Sequence, residues 1–136
     1  DPGAELVRLA HKNNIRIIPL VGPSSILLAL MASGLNGQQF AFNGYLPIES
    51  NARISKIIES EKLSISRNQT QIFIEAPYRN QKLLEQLVKT CSDSTNLCIA
   101  SHLTFSNEMV ATRTVKEWNR SLPDINKIPT IFLLHG

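Results

Sequence analysis

The sequence predicts an α/β protein: the end of an N-terminal parallel α/β domain, followed by a C-terminal α/β domain with a mixed sheet of about four or five strands. Three observations carry that expectation. Short apolar runs of strand length alternate with segments whose apolar residues recur at helical spacing. A nearly continuous apolar run, Ile15 to Leu20, directly follows a helical segment, the pattern of a strand covered on both faces in a parallel sheet. The composition then breaks at Leu46-Pro47-Ile48-Glu49-Ser50-Asn51, which reads as a linker and divides the chain into residues 1–45 and 46–136.

Taken in order, Glu5 to Asn13 reads as a helix, with Leu6, Leu9 and Ala10 on one side and Lys12 near its end. Asn13-Asn14 breaks it, and Ile15 to Leu20 follows as the strand just described. Pro23 to Ser33 is the next helix; Pro23 suits a first-turn position and Gly34 a C-terminal cap. Phe40 to Tyr45 reads as a strand closed by Gly44 and Pro47. Beyond the linker, Arg53 to Ser64 carries Ile54, Ile57 and Ile58 at helical spacing, and Thr70 to Glu75 alternates as a strand. Asn80 to Cys91 is the clearest helix: Leu83, Leu84, Leu87, Val88 and Cys91 form one stripe, and Glu85 with Lys89 makes an i,i+4 pair. Leu97 to Ser101 and Met109 to Thr114 are strands, Val115 to Arg120 a short helix, and Thr130 to His135 a final apolar strand.

Composition bounds the function classes. The 136 residues are 43% hydrophobic and 18% charged, which belongs to a folded chain and not to a disordered one. The net charge is +3 and the pI near 9.1, mildly basic; this suits RNA or an anionic small molecule, and equally a solvated surface, since no run of Lys and Arg with interleaved aromatics appears. Cys91 and Cys98 form no CxxC pair and read as free buried thiols of a reducing cytoplasm. His11, His102 and His135 show no metal spacing, so no metal is expected. No signal peptide or membrane-spanning run is expected either, Ile26 to Ala32 being far short of the ~20 residues a span requires. Asn68-Gln69-Thr70 and Asn119-Arg120-Ser121 match a glycosylation pattern only by chance in such a protein.

The junction Pro19-Leu20-Val21-Gly22-Pro23-Ser24-Ser25 is the first candidate site. It aims backbone N–H groups, a helix start and two hydroxyls at one spot, which suits an anion or polar ligand. The plainer reading is that Ser24 or Ser25 caps the helix. The chain starts on Asp1 in what reads as a loop, so it is expected to be the later part of a longer ligand-binding protein.

Five motifs taken in order, Asp1-Pro2-Gly3, Pro19 to Ser25, Ala32-Ser33-Gly34-Leu35, Phe42-Asn43-Gly44-Tyr45-Leu46-Pro47 and Phe73-Ile74-Glu75-Ala76-Pro77-Tyr78-Arg79, resemble those of the tetrapyrrole methylase superfamily. Within it the chain is most similar to the branch that methylates a cytidine ribose 2′-hydroxyl in small-subunit rRNA. The resemblance implies two α/β domains, a homodimer, and S-adenosylmethionine held in the cleft between the domains. It also implies that the Gly-rich, acidic and Thr-rich cofactor loops lie upstream of Asp1, so that this piece alone is inactive.

Methyl transfer from a sulfonium requires positioning and no metal. The resemblance assigns Gly22, Pro23, Ser24, Ser25, Gly44, Tyr45, Leu46 and Pro77 to the cofactor, and Tyr78 and Arg79 to the substrate. Two readings stay open for the last motif: a ligand site at a strand end, or a Glu75–Arg79 ion pair that locks the turn. At the fourth motif a hinge with a buried Tyr45 is the plain alternative. The acceptor hydroxyl is a weak acid and calls for a base; Glu75, His102 and Glu108 are candidates by residue type, with the catalytic residue unknown. The chain departs from the rRNA branch here, reading Ala100-Ser101-His102-Leu103-Thr104-Phe105 where that branch has Ala-Arg-Glu-Leu-Thr-Lys. Three functions are therefore weighed: an rRNA ribose methyltransferase, a methyltransferase for a corrin or porphyrin precursor or other small molecule, and a non-catalytic RNA-binding or dimerisation domain.

Overall fold

The computed structural model of the chain describes residues 3–136, so the Asp1-Pro2 of the first motif lies outside the described residues. Five helices and five strands follow in the order α1 (Gly3–Lys12), α2 (Ser25–Ser33), β1 (Phe40–Tyr45), α3 (Ser50–Arg67), β2 (Thr70–Ile74), α4 (Asn80–Thr90), β3 (Asn96–Ser101), β4 (Met109–Thr114), α5 (Val115–Trp118) and β5 (Thr130–His135). One sheet holds all five strands in the order β1-β2-β5-β3-β4. Only β1 and β2 run parallel; the other pairings are antiparallel, so the sheet is mixed, as expected.

Alternation along the strands sends side chains to two cores. Phe73, Leu97, Ile99, Phe132 and Leu134 face α3, α4 and α5, where Ile57, Leu83, Leu84, Leu87, Val115 and Trp118 close over them. Ile72, Cys98, Ala100, Ile131 and Leu133 face the other way and meet Ala29 and Leu30 of α2. Because α2 and β1 both join this sheet, the division at 45/46 falls between elements that share it.

Several local expectations are corrected. Ile15 to Leu20 forms no strand; it runs as irregular chain with only Ile17 half-buried, because no neighbouring strand among the described residues pairs with it. The second helix starts at Ser25, not Pro23, with Ser24 at the N-cap and Gly34 at the left-handed C-cap (φ 71°). In α3 the inward face is Arg53, Ile57, Ser60, Glu61 and Ser64, whereas Ile58 is half-exposed. That polar face has partners: the Glu61 carboxylate accepts from Ser92 N–H and from the Thr95 hydroxyl, and the Ser64 hydroxyl accepts from Gly136 N–H. No Glu85–Lys89 ion pair forms, as is common for exposed charges screened by water.

Gly44 explains the end of β1. Its φ of 64° marks a register break between Phe42 and Tyr45, a backbone position costly for a side chain. The break turns Tyr45 out to 65% exposure and sends Leu46 into the α3–α4 core. Tyr45 is thus not the buried hinge residue of the plainer reading.

Candidate functional site

The carboxyl ends of β2 and β3 and the amino end of β5 meet at one edge of the sheet, since Ser101 pairs with Thr130. On the α2 side of that edge lies a cavity of about 250 Å³, walled by Ile74, Glu75 and Pro77, by Ala100, His102, Leu103 and Phe105, by Pro129, Thr130 and Ile131, and by Ser25 of α2. A second hollow of about 280 Å³ shares Ser25 and Leu103 with it and adds Pro23, Leu28 and Thr104. Together they form a groove running beneath the start of α2. Of the residues singled out from sequence, Ser25, Glu75, Pro77 and His102 line the first cavity and Pro23 the second. Gly22, Ser24, Gly44, Tyr45, Leu46, Tyr78, Arg79 and Glu108 line neither.

The Gly22–Ser25 turn leaves its polar groups available. Ser24 occupies the N-cap with extended backbone and makes no side-chain cap hydrogen bond. The capping reading of this turn is therefore not what the Ser24 side chain does, and the first turn of α2 is left without a side-chain acceptor from its N-cap.

Glu75 is held mainly through one carboxylate oxygen, its Oε2 being buried without a hydrogen-bond partner. Its Oε1 accepts from Ala76 N–H and from Arg79 Nη2, both at 2.7 Å, and its Oε2 lies 3.9 Å from Nη1 of Arg53. Both the Glu75 carboxylate and the Arg53 guanidinium are buried. The Glu75 hydrogen bond raises the Arg79 pKa further above its already high ordinary value. Arg79 also lies over the Tyr78 ring, 5.0 Å from its centroid, and donates to the Tyr78 hydroxyl. The ion pair that locks this turn is thus present, and it fixes the Pro77 wall of the cavity. Arg53 was invisible in the sequence, where it reads as one more polar residue of an amphipathic helix.

Glu108 holds a loop: its Oε2 accepts the Thr104 N–H at 2.6 Å. His102 faces the cavity, with its Nδ1 3.3 Å from Asn107 Nδ2. The donor and acceptor roles of that pair follow the ring tautomer and the orientation of the Asn107 amide. The wall residues missed from sequence, Ala100, Leu103, Phe105 and Pro129 to Ile131, are adjacent only through antiparallel pairing. Their signal was weak: Ala100, Thr130 and Ile131 lie at strand ends, whereas Leu103, Phe105 and Pro129 lie in the loops beyond them. No group of three or more His, Cys, Asp and Glu among the described residues is placed to hold a metal.

The chain is similar over its whole length to ribosomal RNA small subunit methyltransferase I of Vibrio cholerae, with 32% identity, and of Escherichia coli O157:H7, with 35%. In each case it covers 47% of the relative, so the chain spans about half the length of the curated relatives it matches. No family model matches it. Among solved structures, the methyltransferase CobJ superposes with a TM-score of 0.59, and the cobalt precorrin-4 methyltransferase CbiF with 0.56. Both are 14% identical, over 98% of this chain and 56% and 57% of theirs. The motif order, the sequence relatives and the shared fold point the same way: the chain is similar in sequence to ribosomal RNA small subunit methyltransferase I and shares its fold with the methyltransferases CobJ and CbiF.

Proposed function

We propose that the chain forms part of an S-adenosylmethionine-dependent methyltransferase that modifies a ribose 2′-hydroxyl of small-subunit rRNA, working as a cytoplasmic homodimer. The observation that carries this reading is the convergence of Ser25, Glu75-Pro77 and His102, from three separate segments, around one groove. The groove suits the cofactor: apolar side chains such as Ile74 and Ile131 offer a wall for the adenine, and the uncapped start of α2 offers N–H groups for the methionine carboxylate. Bound there, S-adenosylmethionine supplies a methyl group on a positively charged sulfur. Gly22, Pro23, Ser24, Ser25 and Pro77 are proposed to hold it, with Gly44, Tyr45 and Leu46 shaping the approach and Tyr78 and Arg79 meeting the substrate.

The chain's own contribution is orientation. Arg53 and Arg79 clamp Glu75, which fixes the turn bearing Pro77. Of the base candidates, Glu75 and His102 line the groove; Glu75 is held by Ala76 N–H and Arg79, and His102 offers Nε2, which accepts a proton in the tautomer whose proton sits on Nδ1.

Residues 1–45 are proposed to complete an N-terminal methylase domain, and 46–136 the C-terminal one. Support comes from the surface that the first segment leaves uncovered. Helix α1 buries no residue, while Leu20 and Val21 and, on the outer side of α2, Leu27 and Met31 are exposed. A helix apolar all round is normally covered.

The test is calorimetric titration of S-adenosylmethionine into the full-length natural protein, with transfer of labelled methyl into small-subunit rRNA read afterwards. Tight cofactor binding with label on ribose is expected. Cofactor binding with label only on a corrin or porphyrin precursor would replace the acceptor, and absence of cofactor binding would refute the enzyme.

A further inference from the structure

The loop between β3 and β4 is held more tightly than its exposure suggests. His102 and Thr104 both sit at positive φ, 50° and 72°. A β-branched residue adopts that region only when its surroundings enforce it. Here His102 N–H donates to Pro129 O at 3.2 Å, Phe105 N–H to His102 O at 2.9 Å, and Glu108 N–H to Phe105 O at 3.0 Å. The Glu108 carboxylate and the Asn107 amide tie the same turn from their side chains.

What this scaffold presents is Phe105. Its ring lines the groove yet is 65% exposed, and its one aromatic neighbour is His102, edge-on with centroids 6.2 Å apart and planes at 70°. A phenyl ring held at the rim by a braced loop has little freedom left to lose on stacking. An exposed flat ring at the mouth of a groove fits the face of an unpaired base, which stacks whatever its sequence.

We propose that Phe105 is a specificity-determining residue, the platform on which an unpaired base of the acceptor RNA stacks at the mouth of the groove. The proposal rests on the rRNA reading above. It is tested in the full-length natural protein with a small-subunit rRNA fragment as acceptor and Phe105→Ala, Phe105→Trp and Phe105→Lys as variants. Thermal unfolding serves as the control for folding. Phe105→Ala is expected to raise KM for RNA about 5- to 150-fold, the range of a lost base stack, without a comparable loosening of the cofactor Kd. Phe105→Trp is expected to restore KM to near the wild-type value, with indole fluorescence quenched on adding RNA. Phe105→Lys is expected to behave like the alanine variant at physiological salt.

An unchanged KM in Phe105→Ala overturns the proposal, as does a Phe105→Lys variant that binds RNA better than wild type, since the site would then be electrostatic. A loosened cofactor Kd in Phe105→Ala also overturns it, by assigning the ring to the cofactor's adenine. If the wild-type protein binds cofactor and no RNA, the rRNA reading itself fails and this inference with it; RNA binding with an indifferent Phe105 defeats the stacking alone.

Discussion

On the α3–α4–α5 face of the sheet, Ile57, Phe73, Leu83, Leu84, Leu87, Leu97 and Phe132 are all fully buried, and the Trp118 indole N–H reaches Leu97 O at 2.8 Å. On the α2 face a single helix covers part of the sheet, Phe40 and Phe42 of β1 stay partly exposed, and the groove opens beside Ser25. The same strands build both faces, so the difference lies in what covers them. The closed face supplies stability that the open face does not need to supply, which leaves the strand ends on the α2 side free for a ligand.

The largest test of that division is a matched pair of cavities. Leu84→Ala is expected to cost about 4 kcal/mol in urea unfolding and Leu30→Ala, beneath α2, about 2 kcal/mol, because the closed face cannot collapse around the lost atoms. Equal costs would abolish the distinction. Next in size is the charge cluster behind the groove. Glu75→Leu is expected to cost about 3 kcal/mol by leaving Arg53 buried without its counter-charge, and Arg53→Met in the same chain should recover most of it. Failure of the double variant to recover would show that the cluster does more than balance charge.

A smaller effect concerns how α2 is held. Thr112 Oγ1 donates to Ser33 O at 2.6 Å, and Thr112→Val is expected to lower stability by about 1 kcal/mol. If the groove depends on this tether, cofactor affinity of the full-length protein falls with it. A separate effect, silent at neutral pH, is in alkaline pH. Burial, with help from the Glu61 charge, pushes the Cys91 thiol up to about 12. The unfolded thiol loses its proton near 9, so the folded state holds more protons between those values, and stability falls as pH climbs from about 9 toward about 12. Burial pushes the Cys98 thiol up as well. Neither thiol is expected to react with a thiol reagent at pH 8 until denaturant is added, and prompt labelling would show that the Cys98 face opens.

Much of the fold was legible because its signals are local. The stripe Leu83, Leu84, Leu87, Val88 reads directly as α4, and Gly34 as the end of α2. The failures have one cause. Ile15 to Leu20 looks like a strand by composition, but a strand exists only when another strand takes up its N–H and C=O groups. In α3 the buried face holds Ile57 together with Arg53, Ser60, Glu61 and Ser64, because Ile48 O and Glu75 meet Arg53, Lys56 O accepts from Ser60, the turn at Ser92 to Thr95 donates to Glu61, and Gly136 N–H donates to Ser64.

The site divides along the same line. The sequence alone determined the turn at Gly22-Pro23-Ser24-Ser25, the motif at Glu75 to Arg79 and the resemblance both carry, since these are short runs whose chemistry travels with their residues. Only the tertiary structure decided that β5 inserts between β2 and β3, which brings Pro129 to Ile131 against Ala100 to Phe105 and sets His102 in the wall. It also set the Glu75 carboxylate in the groove wall against two arginines and left Gly44 to Leu46 out of that wall. Strand order is set by long-range pairing and by which faces must be buried, and no local run of residues encodes it.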